Sequence, residues 1–186
     1  MTASPNHSVF VRELSQHDEE VVSPDGQITA RVAQGMVRSV RFAPNAYERY
    51  SDGSLEAQLV QLAKLAWVSR ERARKDAVMA TKADGDREFR TRKPTSSAER
   101  RLIEQRDREQ ITVHSSHMTI IVKGGTKWAI RIKPGTVKSI PEETFLRELA
   151  ALVKAAMKRW TTAMNSLRTN NFGPSEILRS LKHSAR

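Results

Sequence analysis

The sequence predicts an α+β chain of two tandem units, each a three-stranded antiparallel meander followed by a long amphipathic helix. Three observations carry that reading. The stretch from Gln27 to Asn45 overlays without a gap on His117 to Gly135, ninety residues later, and the register persists through the helical run that follows. The window 27–73 holds ten identical pairs, Thr29/Thr119, Val32/Val122, Gly35/Gly125, Arg41/Arg131, Pro44/Pro134, Leu59/Leu149, Leu62/Leu152, Lys64/Lys154, Ala66/Ala156 and Ala73/Ala163. Average residue usage would give roughly three. Each copy also alternates apolar and polar residues over short runs and then switches to a helical apolar period. Finally, Pro44 and Pro134 close the strand region in both copies, because proline cannot donate to a sheet ladder.

The elements follow in order. The first fifteen residues are expected to be mobile. Val21-Val22, ITARV and VRSVRF are the first three strands, separated by a Pro24-Asp25-Gly26 turn and a Gln34-Gly35 hairpin. Leu55, Leu59, Leu62, Ala63, Ala66 and Trp67 then follow helical spacing, with Ser54 as the expected cap. Residues 81–97 are charged and poor in aliphatics, which reads as a linker. A polar-surfaced helix from Ala98 to Glu109 leads into the second sheet, Ile111–Val113, MTIIVK and TKWAIRIK, with Gly124-Gly125 at the hairpin. In the last strand Trp128, Ile130 and Ile132 alternate with Lys127, Ala129, Arg131 and Lys133, so one face is apolar and the other basic. Pro141-Glu142-Glu143 opens the second long helix, whose apolar stripe is Phe145, Leu149, Leu152, Val153, Ala156, Met157 and Trp160. The units are therefore placed at 1–80 and 98–172, with the linker at 81–97 between them and a basic tail at 173–186. Units this small bury little surface alone and are expected to pack against each other or a second chain.

Charge is distributed unevenly. The net charge is +11, yet residues 1–67 hold six Lys/Arg against eight Asp/Glu, while 111–186 hold thirteen against four. A positive surplus in one half favours a polyanionic partner. The chain has no cysteine, so disulfides, thiolate metal sites and cysteine nucleophiles are excluded. No stretch reads as a signal peptide or a membrane span, which points to a cytoplasmic protein without a membrane partner.

The strand–proline–helix order of Gly35 and Val37–Arg74 resembles the YbaB/EbfC family of bacterial nucleoid-associated proteins, as does WAIRIKPGTVKSIPEETFLRELAALVKAA in the second copy. The resemblance implies a three-stranded sheet flanked by helices, paired across a dimer and binding DNA with little base specificity. Two units stand in one chain here, which implies an intramolecular pseudo-dimer.

The candidate DNA-binding residues are Lys154, Lys158, Arg159 and Arg168 on the second long helix, and Lys123, Lys127 and Lys133 on the second sheet. Such cations neutralise phosphates and release counterions without needing base-edge geometry; otherwise they form a solvated face. Arg92 and Lys93 in the linker offer a second contact or merely solubility. Arg70, Arg72, Arg74 and Lys75 fall near the end of the first helix, where they suit its dipole. Arg41 and Arg131 recur at equivalent positions and suggest a shared structural pair. Trp67, Trp128 and Trp160 are read as packing rather than as base-stacking platforms.

Gly124-Gly125-Thr126-Lys127 lacks the P-loop spacing and precedes a strand, so it is not a phosphate loop. His114 and His117 supply only two of the four ligands a metal needs. No nucleophile elbow or catalytic carboxylate pair is present, so neither an enzyme nor a cofactor is expected. The reading is thus a nucleoid-associated protein of double-stranded DNA. Its alternatives are a protein-interaction scaffold working through the near-neutral first unit, as a homo-oligomer or with another protein, and a sequence-specific regulator. The last would need a groove-reading helix, for which neither Ala98–Glu109 nor the segment after Pro174 shows a helix-turn-helix pattern.

Overall fold

Buried apolar residues alternate strictly along the central strand of each of two separate sheets. In the structure, a computed structural model describing residues 5–80 and 96–172, β1 (Asp18–Val22), β2 (Ile28–Ala33) and β3 (Met36–Phe42) form one antiparallel sheet in that order. The second sheet is β4 (Gln110–His114), β5 (Met118–Lys123) and β6 (Lys127–Ile132), again in sequence order. Ile28, Ala30 and Val32 are buried on one side of β2, and Met118, Ile120 and Val122 on one side of β5. The register also corresponds. Ile28↔Phe42, Thr29↔Arg41 and Ala30↔Val40 in the first sheet are matched by Met118↔Ile132, Thr119↔Arg131 and Ile120↔Ile130 in the second.

The hairpins reach that common register by different routes. Ala33 pairs with Met36 around Gln34-Gly35, both at positive φ, and the surplus residue, Arg38, is absorbed as a bulge opposite Arg31/Val32. Lys123 instead pairs with Lys127 around the three residues Gly124–Thr126, and no bulge is needed.

Five helices lie among the described residues: α1 (Pro5–Gln16), α2 (Asp52–Ala80), α3 (Ser97–Arg108), the single turn α4 (Thr136–Ser139) and α5 (Glu142–Asn171). A 3₁₀ turn at Tyr47–Arg49 precedes α2. Ser96 and Glu99 form a reciprocal capping box at the start of α3. At α2 the cap lies three residues before the expected Ser54. The Ser51 hydroxyl accepts from the Ser54 amide at 3.1 Å, and the Ser54 hydroxyl accepts from the Ser51 amide at 2.9 Å.

α2 lies over β1 and β2 of its own sheet and over β6 of the other; α5 lies over β4 and β5 and reaches β3. The apolar stripes of both helices enter one continuous core, where Ile28, Phe42, Leu55 and Leu59 meet Met118, Ile120, Phe145 and Leu149. Each large side chain buried there contributes about 1.5–3 kcal/mol relative to exposure. Polar ties cross the same boundary. Glu56 on α2 accepts from the backbone N–H of Ile132 at 2.6 Å and from Arg131 at 3.3 Å. Asp52 accepts from the amides of Gly135 and Val137 at 2.6 and 2.9 Å. The Tyr47 hydroxyl donates to the Ile140 carbonyl at 3.2 Å, and burial, aided by the Asp52 and Glu142 carboxylates, pushes its pKa up to about 12.

Several expectations need correction. The N-terminal segment, expected to be mobile, includes α1, which packs along α2. Arg70–Lys75 do not end the first helix, which continues to Ala80 and carries no cation in its last turn. The linker positions up to 95 and the tail at 173–186 lie outside the described residues. Among the described residues no helix is long and apolar enough to cross a membrane.

Candidate nucleic-acid interface

The second long helix separates its functions by angle. Its buried stripe is Phe145, Leu149, Leu152, Ala156 and Trp160. At 3.6 residues per turn, Arg147, Lys154, Lys158 and Arg168 fall within an arc of about 80° on the opposite side. All four are exposed. They span about 31 Å of helix at 1.5 Å per residue. From Leu149 to Asn171 the helix carries no carboxylate, and Lys154, Lys158 and Arg168 make no ion pair among the described residues. Arg147 was not among the expected site residues; its signal was available, seven residues before Lys154 and therefore two turns along the same face.

Arg159 belongs elsewhere. Its guanidinium donates to the Thr112 carbonyl at 3.0 Å, tying the helix to the edge strand β4. It satisfies a backbone acceptor that would otherwise need water.

Strand alternation places Lys123, Lys127 and Arg131 on the sheet face turned away from α5, and Lys133 continues that alternation just past β6. Lys123 and Lys127 are direct cross-strand partners. Like charges so opposed are destabilising, so this pair does not serve the fold. Arg131 is drawn to Glu56 of α2, whereas Lys123, Lys127 and Lys133 make no ion pair among the described residues. The expected basic residues therefore do not share one surface: the helix ridge and the sheet face look in opposite directions from a two-layer unit. Arg92 and Lys93 lie outside the described residues.

The outer face of the first sheet is compensated. Arg31 pairs with Asp18, and Arg41 pairs with Glu20 at 2.8 Å. Hydrogen bonding from Arg31 holds the Asp18 carboxyl below its usual range. Arg41 and Arg131 thus each find a carboxylate, but on different elements, a strand in one case and a helix in the other. Residues 5–80 contain ten Lys/Arg and ten Asp/Glu, while 96–172 contain fourteen and seven.

Two Ser–His–Glu groupings join each sheet to its helix. Ser69 donates to Glu19 at 2.6 Å and lies 3.1 Å from His17 Nε2. Ser115 donates to Glu148 at 2.6 Å, and His117 Nδ1 lies 2.8 Å from the same carboxylate. In both, the serine hydroxyl is spent on the carboxylate directly instead of standing on an imidazole that the carboxylate orients, which is the order a nucleophile requires. His114 is exposed on β4, and among the described residues no group of three or more His, Asp or Glu is placed to hold a metal.

Trp160 is buried over the β5–β6 hairpin. Trp67 and Trp128 are half-buried, Trp67 beneath the Arg70 guanidinium at 5.2 Å and Trp128 packed against the core. None presents the open ring face that base stacking uses. No protein-family model, curated protein or solved structure matches the chain.

Proposed function

We propose that this protein attaches to the phosphate backbone of double-stranded DNA through the α5 ridge, with little base discrimination, as a cytoplasmic, nucleoid-associated architectural protein. The observation that carries this reading is the row Arg147, Lys154, Lys158 and Arg168, about 31 Å long and facing solvent, on a helix segment with no carboxylate after Glu148. Point cations on a rigid rod suit phosphates, and such contacts position a protein without reading sequence. Lys123 and Lys127 supply a second contact on the opposite face. No enzymatic step and no cofactor enter the proposal.

The tandem organisation belongs to the same reading. A duplicated YbaB/EbfC-like unit folded as an intramolecular pseudo-dimer accounts for the ninety-residue correspondence of strand register. It also accounts for the exchange in which each long helix covers two strands of its own sheet and the third strand of the other.

The test is binding to two unrelated duplexes of equal length over a salt series. Four phosphate contacts predict a log–log slope of about −3.6, or roughly 150-fold weaker binding between 50 and 200 mM salt. Comparable affinity for both duplexes with such a slope supports the reading; absence of binding at low salt overturns it. A protein-interaction role is the second reading, favoured by the apolar surface of the first half.

A further inference from the structure

All seven large apolar side chains left exposed among the described residues lie before residue 80, in the electrically balanced half. Among its described residues, the half with the surplus charge has none. Three of the seven, Leu65 at 41 % exposure, Val68 at 52 % and Met79 at 53 %, stand on the solvent side of α2. They are joined in one stripe by Gln61, Arg72 and Lys75, all exposed, at successive spacings of four, three, four, three and four. That is the spacing of a helix-pairing seam, not of a solvated helix face. Val22, on the open edge of β1, borders the same stripe across a shallow groove lined by Glu19, Val21, Leu65, Val68 and Ser69. Ninety residues on, the positions of Val22, Leu65 and Val68 are Thr112, Ala155 and Lys158, so a matching groove in the other half would be small and polar.

We infer that this face pairs with the same face of a second copy of the chain, α2 against α2, antiparallel about a two-fold axis between Val68 and Arg72. Charge argues for a copy meeting through these halves. Two chains of net charge +11 repel, and the residues 5–80, with ten cations and ten carboxylates, are where they can approach without that cost. The stripe itself selects the direction. A parallel pair would stack Arg72 on Arg72 and Lys75 on Lys75. The antiparallel pair lays the aliphatic stems of those residues over Val68 and Leu65 of the other copy, leaving the Lys75 head in water and the Arg72 head beside Glu19 of its own chain, 3.8 Å away. The seam from Gln61 to Met79 is about 27 Å long. A stable dimer needs roughly 800 Å² from each partner, so the β1 flank beside the groove must join the seam. The flank towards β1 carries a further exposed apolar group, Val22. An edge-to-edge pairing of β1 strands is disfavoured, because Asp18-Glu19-Glu20 would meet their own copies. The dimer places its two basic halves outward, and it stands whether or not those halves bind DNA.

Sedimentation velocity at high salt, from low to high micromolar concentration, tests the inference. A monomer–dimer equilibrium is expected, with the paired substitution Leu65→Glu and Val68→Glu raising the dissociation constant by at least about tenfold. Both side chains are exposed, so the variant keeps its helical circular dichroism. Direction is read separately in the stripe-preserving variants Gln61→Cys and Met79→Cys, since the natural chain has no cysteine. A mixture of the two chains should form a cross-linked heterodimer in preference to either self-linked product. A monomer at every concentration, a dimer insensitive to the glutamates, or preferential self-linking would each overturn the inference.

Discussion

Trp160 closes directly over Gly125. A Cβ placed on that glycine would lie 2.5 Å from indole Cζ2, closer than side-chain atoms approach. The glycine is also at φ +75, so both the turn and the lid demand it. Ninety residues earlier, Gly35 has the same kind of φ, +69, but its neighbours Leu14 Cδ1 and Arg70 Cγ stand at 3.6 and 3.8 Å. The two glycines therefore differ in kind. Gly35→Ala should cost only the left-handed conformation, about 1–2 kcal/mol. Gly125→Ala should add overpacking of about 1–3 kcal/mol to that. Thermal or urea unfolding of the two variants checks the ordering, and equal losses would show that Trp160 moves aside.

The two halves are also held by carboxylates on backbone amides. Glu56 accepts from Ile132 and Asp52 from Gly135 and Val137. Replacing either acid by alanine leaves amides of the second half without their acceptors, a loss of about 1–3 kcal/mol. Hydrogen exchange should locate it: Ile132 should speed up in Glu56→Ala, and Gly135 and Val137 in Asp52→Ala. Uniform acceleration throughout the chain would mean that the ties do not act locally.

These contacts mark the limit of what the residues disclose in order. MTIIVK is the strand β5 residue for residue, because alternation is a local signal. The basic face of β6 and the apolar stripe of α5 were legible for the same reason. The pairing of Arg31 with Asp18, which cancels the first sheet's outer charge, depends on which strand positions come opposite each other, and counting charges along the chain does not reveal it. Nor does the chain show that Arg159 turns to the Thr112 carbonyl while Lys158, its neighbour, faces outward. Both side chains belong to one basic run; 100° of helix rotation gives them different work. α1 was missed because its few apolar residues, Val9, Phe10, Val11 and Leu14, make too short a pattern to stand out, and the face bordering the β1 edge was missed because Leu65 and Val68 lie among the other apolar residues of one long helix.

Glu148 gives the fold a pH dependence of known sign. Burial opposes its ionisation, but hydrogen bonds from Ser115 and His117 outweigh burial and hold the carboxyl below its ordinary value of 4.5. A group whose folded pKa is depressed stabilises fully above its unfolded pKa and ceases to do so as pH falls through the folded one. Stability should thus decline below about pH 4.5 in the natural chain, and part of that decline should vanish in Glu148→Gln. Unfolding free energies measured from pH 6 downward make the comparison; an unchanged acid limb would exclude Glu148 as a contributor.

Lys64 and Lys154 offer the sharpest trial of the DNA reading, because they are the same residue at corresponding places on the two long helices, both exposed. Lys64 projects from a half with balanced charge, while Lys154 stands within the row that Arg147, Lys158 and Arg168 complete. Charge reversal of Lys154 and Lys158 together should flatten the salt dependence by about 1.8 in log–log slope and weaken binding similarly on unrelated duplexes. Reversal of Lys64 should leave affinity within about twofold, since screening at physiological salt confines its effect to about 8 Å. Reversal of Lys123 and Lys127 separates the remaining case: a second phosphate contact on the opposite face would lose slope of its own, additive with the first pair. If Lys64→Glu weakens binding as much as Lys154→Glu, net charge alone governs attachment and the α5 ridge has no special part in it.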